Sequence, residues 1–152
     1  MIPVIISSIF FLDQLTKILA SNFLKLNHAF PVIKGVMYLT LVHNRGAAFG
    51  MFKNKLWLFI FSALFAITLI YMELRSDKGE RPFIYRLALG LILAGALGNL
   101  IDRLLFGYVV DFLDFRIWPV FNVADSSVTI GAILFGYSIL KTEKVLKQKR
   151  SS

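Results

Sequence analysis

The sequence predicts an all-α membrane protein, with four transmembrane helices carrying a small extracytoplasmic β-hairpin or sheet element. Three observations predict it. Hydrophobic residues make up 57% of the 152 and charged residues 17%, whereas soluble domains carry about a quarter charged residues. Four segments are apolar over roughly the 20 residues that a helix needs to cross a bilayer. Between the first two, a pair of short β-prone runs flanks a Lys-Gly step.

The first span covers about 1–24. Its start, Met1–Leu12, is apolar like a signal peptide, but it has no basic n-region and no small-residue cleavage site follows. It is therefore expected to be a retained span. Residues 25–55 form the longest connection, where Ala29–Ile33 and Val36–Val42, separated by Lys34-Gly35, predict a hairpin at the membrane surface. The second span, about 56–72, contains no charge, and the short loop 73–86 is highly charged. The third, about 87–105, is apolar until Asn99. Residues 106–121 mix Asp, aromatic and β-branched residues and end in Trp118-Pro119 before the fourth span, about 122–140, whose only charge is Asp125. The tail 141–152 is basic. Lipid offers the backbone no hydrogen bonds, so the spans must be helices. Gly90, Ala94 and Gly98, then Ala132 and Gly136, form small-residue stripes that let helices pack closely. No repeat or linker divides the chain, and a single domain over 1–152 is expected.

Four spans put both termini on one side. That side, with the 73–86 loop, holds nine Lys and Arg against seven on the other. The positive-inside rule then favours cytoplasmic termini and places the 25–55 and 106–121 loops together outside. The net charge of +8 fits anionic phospholipid headgroups better than nucleic acid in a chain this apolar. The absence of cysteine excludes disulfides and thiolate catalysis. With only His28 and His43, a multi-histidine metal site is not expected, and no cofactor is implied.

Ionisable groups inside spans are costly and mark functional sites. Asp13 and Lys17, four apart with the acid first, share a helical face and can pair; the bland alternative is a self-neutralising anchor. Asn99, Asp102 and Arg103 close the third span, and 99 shares a face with both 102 and 103. Here the bland alternative is Arg103 snorkelling beside an acidic neighbour. Asn122 is a good N-cap, with Asp125 in the first turn at the positive end of the helix.

Asp111 and Asp125 flank the return from span three into span four, so both lie near one membrane face. Two carboxylates held close cannot both ionise easily, and one keeps its proton near neutral pH. That is the requirement of an aspartyl protease, in which one carboxylate activates water and the protonated one polarises the scissile carbonyl. Neither histidine neighbours a plausible serine nucleophile. Spacing alone leaves other pairings of the six aspartates open. It also leaves open a small transporter or ion-path subunit, and a noncatalytic scaffold.

Five blocks then resemble lipoprotein signal peptidase (signal peptidase II), a family of bacterial membrane aspartyl proteases. They are Asp13-Gln14-Leu15-Thr16-Lys17, Asn44-Arg45-Gly46-Ala47-Ala48-Phe49, Gly95 through Arg103, Val109-Val110-Asp111-Phe112 and Phe121-Asn122-Val123-Ala124-Asp125. The resemblance implies a catalytic pair, Asp111 and Asp125. It implies that Asp13, Lys17, Asn44, Asn99, Arg103 and Asn122 shape the site, and that Gly46 belongs to a tight turn facing substrate. Asp114 falls outside the pattern and is given no catalytic role. The implied substrate is a prolipoprotein whose cysteine carries diacylglycerol, cut just before that cysteine. The implied place is the bacterial cytoplasmic membrane, with the site near its outer face. A monomer among membrane phospholipids is expected.

Overall fold

A computed structural model describes residues 1–46, 55–76 and 81–151, with side chains as far as Thr142. Its elements run α1 (Ile2–Phe23), β1 (Ala29–Ile33), β2 (Met37–Asn44), α2 (Leu56–Arg75), α3 (Phe83–Phe106), β3 (Val109–Asp114) and α4 (Val123–Ser151). All four helices contain stretches long and apolar enough to cross a membrane, that of α4 being Val123–Thr142. The tail is thus a helical continuation of the fourth span. α2 and α3 extend beyond their expected bounds, to Arg75 and back to Phe83.

α3 is the centre of the bundle. Half of its apolar window is buried, against 6% in α2, and α1, α2 and α4 all pack on it. Gly107, in the left-handed region at φ 75°, ends the helix by donating its N–H to Arg103 O at 3.1 Å. Glycines set the approach of α1 and α4. A Cβ on Gly98 would stand 2.5 Å from Asp13 Oδ2, and one on Gly131 would stand 2.7 Å from Ile92 Cγ1. A Cβ on Gly95 would meet Ser127 Oγ at 2.5 Å and run into Ala124 O.

The α4 stripe expected at Ala132 and Gly136 is not the packed face. Ala132 is exposed, and a Cβ on Gly136 would have no neighbour within 4 Å. The helix turns Ala124, Ser127, Val128 and Gly131 toward α3 instead, the i, i+3, i+4, i+7 face one position away.

The hairpin is present, with Gly35 at φ 84° in its turn. Its second strand runs to Asn44 rather than Val42. It also gains a partner that was not expected, because β3 pairs antiparallel with β2 to give a three-stranded sheet in the order β1-β2-β3. Asp111 lies opposite Val42, and Asn44 opposite Val109. Ala20 of α1 packs with Leu41, Val110 and Phe112 in a buried cluster that seats the sheet on the helix ends.

Candidate active site

Asp111 is carried by β3 and Asp125 by the first turn of α4. The chain returns between them through a bridge pairing Leu113 with Phe121. Asn122 then caps α4, its Oδ1 accepting the N–H of Asp125 at 2.8 Å. Both carboxylates line a cavity of about 240 Å³ with Asn44, Gly46, Asn99 and Arg103, closed on one side by Val109 and the Trp118–Phe121 segment.

Three asparagine amides hold the pair. Asn122 Nδ2 donates to Asp111 Oδ1 at 2.7 Å, and Asn44 Nδ2 to Asp111 Oδ2 at 2.9 Å. Asn99 Nδ2 donates to Asp125 Oδ1 at 2.7 Å. The orientation of each amide is set by a group that can only donate. The oxygen of Asn44 takes the N–H of Gly46 at 3.0 Å, that of Asn99 takes Lys17 Nζ at 3.0 Å, and that of Asn122 takes the N–H of Asp125. No amide can therefore turn its oxygen toward the carboxylates without orphaning a donor.

The Asp111 carboxyl is pushed up to about 7, first by burial and then by the Asp125 carboxylate, against the pull of the Asn44 and Asn122 amides and the Lys17 charge. Desolvation outweighs two amide donors here because almost none of the side chain is exposed. A proton held on the pair near neutral pH follows.

The expected Asp13–Lys17 pair forms at 2.8 Å, fully buried. It is no mere anchor, since Lys17 also reaches Asn99, and Asp13 Oδ1 accepts the N–H of Ala124 at 2.8 Å. Arg103 does have acidic neighbours, since the charges of Asp125, Asp111 and Asp102 act on it. It makes no ion pair among the described residues, lies 5.0 Å from the Phe59 ring centroid of α2, and faces the cavity. Gly46 turns back on Asn44, its N–H donating to Asn44 Oδ1 at 3.0 Å. Ala47, Ala48 and Phe49 of the same block lie outside the described residues, as does Lys53.

Two residues of this network were missed. Asp102 pairs with Lys17 at 3.0 Å and accepts the N–H of Val110 at 3.0 Å. Gln14 Nε2 donates to Asp13, to Gly98 O and to Asp102, each at 3.2 Å. The signal for Asp102 lay in the helical spacing: it shares the Asn99 face, and Asn99 was already suspected. His43 stacks on Tyr108 at 4.0 Å, burial and then the Arg45 charge lower its pKa, and it lies outside the cavity lining. Among the described residues no cluster of His, Asp or Glu has the makings of a metal site.

The family model described as signal peptidase (SPase) II matches residues 5–141. A lipoprotein signal peptidase of Halothermothrix orenii is 46% identical, covering 95% of this chain and 99% of its own. That of Caldanaerobacter subterraneus subsp. tengcongensis is 48% identical over 90% of this chain and 94% of its own. Among solved structures, a bacterial membrane enzyme determined by the in meso method at 2.3 Å resolution superposes with a TM-score of 0.85 at 35% identity, covering 92% of this chain and 87% of that one. With its fold, its four spans and its ordered sequence blocks in agreement, the chain belongs to the signal peptidase II family.

Proposed function

We propose that this protein is a membrane aspartyl endopeptidase that removes the signal peptide from diacylglyceryl-modified prolipoproteins, cutting just before the lipidated cysteine, with Asp111 and Asp125 as the catalytic pair. The observation that carries the reading is the convergence of these two carboxylates, from β3 and α4, on one cavity whose asparagines present only N–H groups to them. Lipoprotein signal peptidase relatives at 46–48% identity supply the substrate class.

The chemistry needs one proton on the pair. The charged carboxylate takes a proton from water as its oxygen bonds to the scissile carbonyl carbon. The protonated carboxyl hydrogen-bonds the carbonyl oxygen as it gains charge. The tetrahedral intermediate then breaks its C–N bond, and the pair returns a proton to the departing amine. No metal or cofactor enters. Arg103 and the asparagines lining the cavity would hold an extended peptide backbone by hydrogen bonds, which orients the bond for attack.

The working unit is taken to be a single chain among phospholipids, with cytoplasmic termini and the site near the extracytoplasmic face. Lysine and arginine distribution supports that orientation. A signal peptide is itself an apolar helix, so it can lie beside the spans while the lipid chains of the substrate stay in the bilayer. Neither a transporter nor a scaffold gains support from any relative.

The test is release of signal peptide from a lipidated precursor in detergent. Asp111→Asn and Asp125→Asn, both still inserted and folded, are expected to abolish it. Substantial turnover by either one refutes the assignment.

A further inference from the structure

A second pair of carboxylates stands behind the first. Asp13 accepts the N–H of Ala124 at 2.8 Å, and Asp102 accepts the N–H of Val110 at 3.0 Å. Ala124 directly precedes Asp125, and Val110 directly precedes Asp111. Each buried carboxylate therefore grips the backbone one residue before one member of the catalytic pair. Lys17 Nζ joins the two grips, 2.8 Å from Asp13 Oδ2 and 3.0 Å from Asp102 Oδ2, and gives its third N–H to Asn99 Oδ1. The amide of Gln14 bridges the same two carboxylates from the side.

Resting on the catalytic reading above, we infer that Asp13, Lys17 and Asp102 form a clamp that fixes the separation of the Asp111 and Asp125 carboxylates, and that Asp102 is a positioning residue of the reaction. The strand and the helix that carry the pair are joined by residues 115–120, which belong to no helix or strand. On the cavity side Asn122 and the Leu113–Phe121 bridge tie the two together. The clamp ties them a second time from behind, because the backbone on each side bonds a buried carboxylate and both carboxylates bond one ammonium group. The distance matters twice over. A misplacement of about 1 Å is enough to cost about 100-fold in rate. The coupling that splits the two ionisations of the pair also falls as the carboxylates separate.

Among the described residues the remaining charged groups around the clamp are Asp111 of β3, Asp125 of α4 and Arg103 of α3, while α2 contributes the Phe59 ring against Arg103. Loosening the clamp changes the first two relative to each other and leaves Arg103 in place. The signature of lost spacing is thus a narrowed pH profile, with the acidic and alkaline limits of cleavage drawn together. A variant that is only less stable lowers the active fraction without moving either limit.

The experiment compares Asp102→Leu, Asp102→Asn and Tyr85→Phe with the wild-type chain on a lipidated precursor. Asp102→Leu removes both the grip and the charge, yet Lys17 keeps Asp13 and Asn99 as partners, so the helices can still assemble. We expect its kcat to fall about 10- to 100-fold with KM little changed and both pH limits converging. Asp102→Asn keeps an oxygen for Val110 and should recover part of the loss. Tyr85→Phe, which removes a hydrogen bond to Glu73 at the far end of α3, should leave the limits where they are. If the Leu variant fails to fold, the Asn variant decides: a lowered kcat with converging limits supports the clamp. Wild-type kcat and limits in a folded Asp102 variant overturn it. Asp111→Asn, run alongside, keeps the two ideas apart. Turnover there refutes the catalytic pair itself, whereas a dead Asp111→Asn with unperturbed Asp102 variants refutes the clamp alone.

Discussion

Replacing Gly98 by alanine puts one methyl group against Asp13, a fully buried side chain bonded at both of its oxygens. The new Cβ would lie 2.5 Å from Asp13 Oδ2 and 3.2 Å from its Cγ. Carbon and oxygen tolerate about 3.3–3.6 Å, so the deficit is roughly 1 Å. A carboxylate tip normally swings aside at little cost. Asp13 cannot, because Lys17 and Gln14 bind one of its oxygens and the Ala124 N–H binds the other. Either those charge-assisted bonds break, at about 1.5–3 kcal/mol each, or α1 and α4 move away from α3 and carry Asp125 with them. Alanine returns about 1 kcal/mol through its better helix propensity. A net destabilisation of roughly 1–4 kcal/mol is expected, together with a loss of turnover approaching 100-fold. Gly136→Ala is the matched control: its Cβ would meet nothing within 4 Å, so the propensity gain should stand alone. The assay is thermal unfolding in detergent beside precursor cleavage. If Gly98→Ala is as stable and as active as Gly136→Ala, the close approach described here is wrong.

Four further outcomes are expected. Lys17→Met strands two buried carboxylates and should cost about 3–5 kcal/mol, read as a large fall in melting temperature. Thr40→Val removes the 2.7 Å bond to Asp114, neither residue lining the cavity, and should cost about 0.5–1.5 kcal/mol with cleavage unchanged. Asp111, raised from 3.8 to about 7, binds a proton in the folded state that the unfolded chain has released. Stability should therefore fall as pH rises from about 4 to about 7, and the difference between the wild type and Asp111→Asn should carry that slope. Cleavage itself should decline above about 7 as the pair gives up its proton; an alkaline limit identical in a chain whose Asn44→Ala substitution removes a donor to Asp111 would contradict this.

The spans were legible because lipid imposes a composition on any segment of spanning length, as the uncharged run from Leu56 to Met72 shows. The hairpin was legible from Lys34-Gly35, where glycine supplies the left-handed turn. β3 was not, for a physical reason. Val109–Asp114 reads VVDFLD, with acids three apart rather than alternating, and its strand conformation comes from pairing with β2 rather than from its own pattern. The α4 packing face was misplaced by one residue because Ala132 and Gly136 and the true contact at Gly131 are all small, and size alone does not report phase around a helix. Asp111, Asp125 and their asparagines stood out as polar residues in apolar surroundings. Asp102 is legible as a polar residue on the Asn99 face at the end of the third span, but nothing in the sequence says that its oxygen would reach across to Val110.

The pairing of Asp13 with Lys17 within a single helix also bears on how the chain is built into the bilayer. As α1 enters lipid during synthesis it brings its own counter-ion, so it can insert before any other span exists. Asp102 arrives later on α3 together with its own neighbour Arg103, and meets Lys17 at 3.0 Å. The amino end of α4, whose Ala124 N–H meets Asp13, carries a partial positive charge that suits that carboxylate. Seating the last helix against Asp13 therefore also carries Asp125 to the cavity that Asp111 lines.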